Sequence, residues 1–499
     1  MNALPRLPGL PTLPILSILL ALPLLGAATC FVLRDERTVR AVAIATATLA
    51  LAAALAALLL FDGQNGGFQL QEKHLWIPGL NVHYFVGIDG LSVLFLPATT
   101  LLFLCGIVTT GRGVKPLPNL HFALILLFET ATLGIFCALD TLLFFFFWEL
   151  TLLPLYFLIG LWGLGAHGRA AATRYFLVML VGGVPLLFAF IALAANAGWA
   201  FDLPTLLAQE PTHNLQLLVF VLFLIGFGVK VPVVPLHTWM PSLALGGPAA
   251  VTALMVGLKL GAYGLLRFAI PLAPTVAQEL HWLLAGLGTV GILYGAVAAL
   301  AQSNLRNVVA YASVSHVGMV LLALASFSVA SVQGAVLLLL SFSISTGGLF
   351  LLLGILQRRL GSTDLSVLGG VRQRMPRLAA AFLVFGLTGL GLPGTSGFPA
   401  EFLIIVSTLQ THSGAALAAL FGMVVGAGAF LGPYRAAFFG PIRHAAVAEA
   451  EDLLPREYAV AGLFLMLTLV FGLYPMPWLE LMRTAAESWV LRLPAVIGA

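Results

Sequence analysis

Apolar residues run along this chain in long unbroken stretches, without the alternation of a half-buried strand. A helix needs about 20 apolar residues to cross roughly 30 Å of hydrocarbon. The sequence predicts fourteen such spans, numbered in chain order: 12–33, 40–61, 87–110, 120–139, 141–163, 173–197, 215–237, 248–270, 280–301, 305–326, 331–356, 377–410, 414–440 and 458–481. Two are interrupted. Pro232 and Pro235 break the seventh; Gly391, Pro393, Gly394, Gly397 and Pro399 break the twelfth. Proline removes a backbone donor, and such breaks are tolerated at membrane depth only against protein or water. Continuous apolar runs argue against a transmembrane β-barrel. The predicted fold class is all-α, a polytopic membrane protein.

Composition agrees. Only 8% of the 499 residues are charged and 61% are hydrophobic, whereas a soluble domain carries about 25% charged residues. This excludes a soluble enzyme, a secreted disulfide scaffold and a nucleic-acid binder, despite the net charge of +4. The longest hydrophilic connection, 62–86, is too short for a soluble domain. The first thirty residues carry one charge, Arg6, and lack the basic region of a cleaved signal. Cys30, Cys105 and Cys137 lie in apolar runs, where cysteine acts as a small apolar residue.

Charge placement orients the spans. Sixteen of the 23 Lys and Arg residues fall in alternate connections on one face, among them Arg112 and Arg306. Five, including Arg6 and Arg267, fall on the other, and Lys230 and Lys259 lie inside spans. By the positive-inside rule both termini are predicted on the non-cytoplasmic side.

The few ionisable groups inside spans are the candidate chemistry. Each costs roughly 2.5–3.5 kcal/mol at mid-membrane on insertion scales, so each needs a partner or a task. Glu149 sits about nine residues into the fifth span, roughly 13 Å deep. Its bland alternative is a carboxylate paired for packing. Lys230 precedes the break of the seventh span, and its alternative is a snorkelling amine. Lys259 is central in the eighth span, and Glu401 follows the break of the twelfth. An ionisable group beside a helix break is how transporters build midplane ion sites. His316 in the tenth span and His237 after the two prolines are weaker candidates. A histidine can pass protons near neutrality or simply be a hydrogen-bonded interior residue. For Glu129, in the fourth span, function and packing weigh evenly. Acid, amine, amine, histidine and acid in chain order make a candidate proton path, in which a Glu149–Lys230 ion pair would keep the lysine charged. No histidine spacing, CxxCH or catalytic triad supports a metal, haem or nucleophilic site.

The segments FFFFWELTLLPLYFLIGLWG, GVKVPVVPLHTWMP, LKLGAYGLLRF, YASVSHVGM and GLGLPGTSGFPAEFLI carry a resemblance. From about Val86 to Tyr434 the chain resembles the antiporter-like family of respiratory complex I and Mrp-type cation/proton antiporters. Length, span count and a glutamate at position 401 make it most similar to the M-type (chain 4) members. The resemblance implies two inverted five-helix repeats, at 120–270 and 280–440, each with one discontinuous helix. They would follow N-terminal helices at 1–119 and precede a last helix and tail at 458–499. It implies a modulating pair Glu149–Lys230, a central relay Lys259, a connecting relay His316 and a terminal site Glu401. It also implies a proton-translocating subunit of a bacterial inner-membrane NADH:quinone oxidoreductase, with L-type and N-type chains as partners. Flavin, iron–sulfur clusters and quinone would reside in other subunits, and this chain would hold no cofactor. The alternatives are an Mrp-type antiporter subunit, a hydrogenase- or formate-linked complex, and a structural spacer that has lost transport.

The chain departs from the family pattern in three places. Ser242–Gly247 replaces the usual Asp-Ala-His stretch, Asn304-Leu305-Arg306-Asn307 is less basic than usual, and Phe342 stands where M-type chains carry a relay histidine. Two explanations stand at the sequence level: water held by the cluster Ser341, Ser343, Ser345 and Thr346 bridges the gap, or the chain belongs to a divergent paralogous complex.

Overall fold

The computed structural model describes residues 13–111 and 114–494; Arg6, Thr12, Arg112 and the last five residues of the tail lie outside the described residues. Among the described residues, twelve helices are long and apolar enough to cross a membrane, and each falls on a predicted span. The other two predictions, spans 3 and 12, fall on shorter apolar helices. Span 3 is Phe95–Thr110, and span 12 is Pro376–Thr388 followed by Gly397–Thr411.

Local chemistry explains where the boundaries differ. Span 2 starts at Glu36 because Asp35 caps it, accepting from Thr38 N at 2.9 Å. Span 11 starts at Val329 with a Ser328–Ser331 capping box and ends at Leu360, where left-handed Gly361 closes it. Span 6 starts early, at Gly165. Span 14 stops at Leu473; Pro475 then opens a separate amphipathic helix, Met476–Val490, whose first six residues fall inside the stretch predicted as one span.

The long hydrophilic connection after span 2 forms a β-hairpin. β1 (Gln69–Ile77) pairs antiparallel with β2 (Val82–Ile88), with Glu72 opposite Val86 and His74 opposite Tyr84. The hairpin takes residues 87 and 88 from the predicted third span. Its Glu72 carboxylate accepts from Leu16 N at 2.9 Å and from the Ser17 hydroxyl, so an anion caps the N-terminus of span 1.

Burial sorts the spans. Span 11 is buried along its whole apolar window (100%), span 4 along 89%, span 8 along 83% and span 10 along 78%; spans 2, 13 and 14 are buried along only 28%. The first four therefore form the interior, and the last three turn apolar faces outward, as lipid contact requires. Span 11 packs on spans 8, 10 and 12, and span 10 packs closely on span 9. Glu129, Lys259 and His316 all lie on interior spans.

Two arginines assigned to surface positions are buried instead. Arg267 forms a two-pronged ion pair with Asp89, Nη1 to Oδ2 at 2.6 Å and Nη2 to Oδ1 at 2.5 Å. Arg306 reaches the carbonyls of Ala244 and Gly247 at 3.2 and 2.9 Å, neutralising the C-terminal end of helix Trp239–Gly246.

The Asp89–Arg267 pair pins the hairpin end to span 8, and its loss has a calculable cost. Removing one partner of a buried pair destabilises by about 3–5 kcal/mol. Arg267→Ala is expected to lower the thermal unfolding temperature of the purified protein in detergent, measured by tryptophan fluorescence. Burial pushes the Asp89 carboxyl up, but the Arg267 guanidinium and the Leu91 amide outweigh it and hold it below the usual carboxylate range. The pair's stability is therefore present above the ordinary carboxylate pKa and lost as pH falls through the lowered value. Wild type and Asp89→Ala should accordingly converge in acid.

Candidate functional site

The break of span 7 begins after Lys230. Pro232 and Pro235 carry no N–H, so the helix His213–Lys230 stops and resumes at Trp239. The Lys230 amine does not pair with Glu149. It donates to Trp148 O at 3.0 Å and Thr151 Oγ1 at 2.8 Å, and lies 3.8 Å from the centroid of the Trp148 indole. Those acceptors are available because span 5 is itself interrupted at Thr151, between Thr141–Leu150 and Leu152–Trp162. The expected Glu149–Lys230 ion pair is thus replaced by a cation held on backbone, hydroxyl and aromatic face. Glu149 turns towards span 6, where Gly183 has no Cβ to exclude the carboxylate, and its Oε1 is buried without a hydrogen-bond partner.

Beyond Lys230 the interior is tight. A cavity of about 10 Å³, edged by Tyr175, Lys230 and Leu260, has room for one water at most. The fully buried Tyr175 side chain lies beside it.

Lys259 interrupts span 8. It adopts the left-handed conformation, φ 44° and ψ 46°, between helices Ala249–Leu258 and Leu260–Gly264. For a residue with a Cβ that conformation costs roughly 1–2 kcal/mol, and such outliers cluster at functional sites. The amine donates to the Ser313 hydroxyl of span 10. Its other neighbour is the Phe342 ring, with the centroid 5.9 Å away.

His316 and Glu401 come together around one cavity. It measures about 60 Å³ and its lining includes Ser313, His316, Ser345, Thr346, Gly389 and Glu401. A water needs roughly 10–15 Å³ by that measure, so several fit. His316 Nε2 bonds the Gly389 carbonyl at 2.5 Å, which leaves its buried Nδ1 unpartnered. Glu401 Oε2 is likewise buried and unpartnered. The Glu401 carboxylate lies where a Cβ on Gly391 would be, so the glycine, at φ 65°, serves both the turn and the acid. The expected serine cluster divides: Ser345 and Thr346 line the cavity, while Ser341 bonds Ser396 at 2.8 Å and Ser343 bonds the Gly257 carbonyl at 3.3 Å.

Two candidates stand apart. His237 bonds the Tyr294 hydroxyl at 3.2 Å, between the break of span 7 and span 9. Glu129 is fully buried, with neither carboxylate oxygen hydrogen-bonded. Three participants escaped the sequence reading. Ser313 is three residues before His316 and so on the same helix face, a signal that was present. Thr151 and the Trp148 carbonyl depended on a break in span 5 that Pro154 alone did not announce.

Comparison with known proteins bears on this arrangement. Residues 138–426 match the family described as NADH:quinone oxidoreductase/Mrp antiporter, transmembrane. The chain is 33% identical to NADH-quinone oxidoreductase subunit M of Rhodobacter capsulatus, covering 96% of each protein. It is 34% identical to the F(420)H(2) dehydrogenase subunit M of Methanosarcina mazei, covering 96% of this chain and 98% of the other. A chain of respiratory complex I from Thermus thermophilus superimposes with a TM-score of 0.89 at 30% identity, covering 97% of this chain and all of that one.

Proposed function

The chain belongs to the NADH:quinone oxidoreductase/Mrp antiporter family, to its subunit M and chain 4 branch, and we propose that it is a proton-translocating membrane subunit of an NADH:quinone oxidoreductase. One observation carries the reading: Lys259, Ser313, His316 and Glu401 are joined by contacts and a cavity large enough for water. Proton transfer needs such a chain of groups that both give and take protons. Lys230 on Trp148 and Thr151 forms the first station, with Glu149 as a nearby carboxylate that sets its charge. Lys259 is the central station, His316 and water the connection, and Glu401 the terminal acid. Segments 120–270 and 280–440 act as the two inverted repeats, each opened by one of the breaks in spans 7 and 12.

Quinone reduction in other subunits drives the path, and this chain holds no redox group of its own. L-type and N-type chains flank it in a bacterial inner membrane. Its arginine-rich connections face the cytoplasm and both termini face away. The test is the composition of the intact complex purified through this chain. Flavin- and iron–sulfur-bearing subunits are expected, with reduction of quinone by NADH. A complex without redox subunits would make it an antiporter component. Nickel would mark a hydrogenase, and oxidation of another donor in place of NADH would contradict the donor assigned.

A further inference from the structure

We infer that the Ser313 hydroxyl carries the proton from Lys259 into the cavity, because Phe342 closes the direct route to His316. The inference rests on the proton-translocating reading above. The Phe342 ring lies 5.9 Å from the Lys259 amine and 4.8 Å, centroid to centroid, from the His316 ring. It therefore lies close to both groups, yet it has no atom that gives or takes a proton. Its π face lies towards the ammonium, and an apolar ring offers water no hydrogen bond there.

Ser313 offers the way round. It accepts from the Lys259 amine and also lines the 60 Å³ cavity that reaches His316 and Glu401. Being three residues from His316 on one helix, it sits on the same face. A serine hydroxyl donates and accepts at once. The transfer balances without any other reactant. The Lys259 N–H bond breaks and Ser313 Oγ takes that proton. The original hydroxyl proton passes to a cavity water, and the serine ends neutral. The water file then delivers the proton to Glu401, whose unpartnered Oε2 and the unpartnered His316 Nδ1 are the polar atoms such water would satisfy. Ser313 thus takes over the task that a titratable side chain at position 342 would perform.

The experiment measures proton translocation at matched electron flux, with the intact complex reconstituted in vesicles. Ser313→Ala is expected to lower it by this chain's share of the protons moved per electron, while Ser313→Thr, which keeps the hydroxyl, retains it. Placing Phe342→His in the Ser313→Ala background should restore translocation, by opening the direct route with a titratable ring. Lys259→Ala serves as the reference. If Lys259→Ala loses this chain's share of translocation but Ser313→Ala pumps like wild type, the role of Ser313 is overturned. Equal failure of Ser313→Ala and Ser313→Thr, without rescue by Phe342→His, marks a packing residue and overturns it as well. Normal pumping by Lys259→Ala overturns instead the reading on which the inference rests.

Discussion

Lys230→Ala is expected to lower proton translocation by this chain's share of the protons moved per electron, while the complex still assembles and reduces quinone. The amine donates to Trp148 O and Thr151 Oγ1 and lies over the Trp148 ring. Alanine leaves the Trp148 carbonyl bonded to Thr151 Oγ1 at 2.8 Å, so the interruption in span 5 keeps one of its hydrogen bonds. The loss is then one of chemistry more than of fold. Lys230→Arg separates the two further. A guanidinium keeps the charge but does not release its proton, so it should pump as poorly as alanine. Dye-reported acidification of vesicles at matched NADH oxidation checks both variants. Wild-type pumping by either would remove Lys230 from the path.

Glu401→Gln should be equally damaging, for a different reason. Glutamine fills the same space beside Gly391 and preserves hydrogen bonding, but it cannot be protonated and deprotonated in turn. Since Glu401 faces the cavity with an unpartnered oxygen, its loss leaves the water file without a terminal acceptor. Translocation should fall by this chain's share of the protons moved per electron, and Glu401→Asp should recover part of it. Infrared difference spectroscopy supplies an independent readout. A carboxyl band that responds to turnover in wild type should vanish in Glu401→Gln. Unchanged pumping in Glu401→Gln would remove the terminal site.

The membrane architecture was legible because apolar runs and arginine placement report directly on lipid. So were Lys230 and Glu401, since Pro232, Pro235, Gly391 and Pro393 mark the breaks beside them. Other features depend on contacts between spans distant in sequence. The hairpin 69–88 was hidden in a connection too short and polar to suggest a core. Arg267 and Arg306 looked like surface charges because their partners, Asp89 and the Ala244 and Gly247 carbonyls, lie 178, 62 and 59 residues away. The Glu149–Lys230 ion pair was inferred from charge alone. A backbone carbonyl freed by a helix break and an indole face compete for the amine, and neither carries a sequence signature of charge. The replacement at Phe342 was legible, but its consequence was not, because the bypass through Ser313 needs the geometry of spans 8, 10 and 11 together.

The central claim is that one continuous proton path runs through Lys259 to Glu401. The most direct test is the number of protons moved per electron by the intact complex in sealed vesicles, wild type against Lys259→Ala. The path predicts that Lys259→Ala assembles and reduces quinone but moves fewer protons per electron, by this chain's share. A ratio equal to wild type would contradict it.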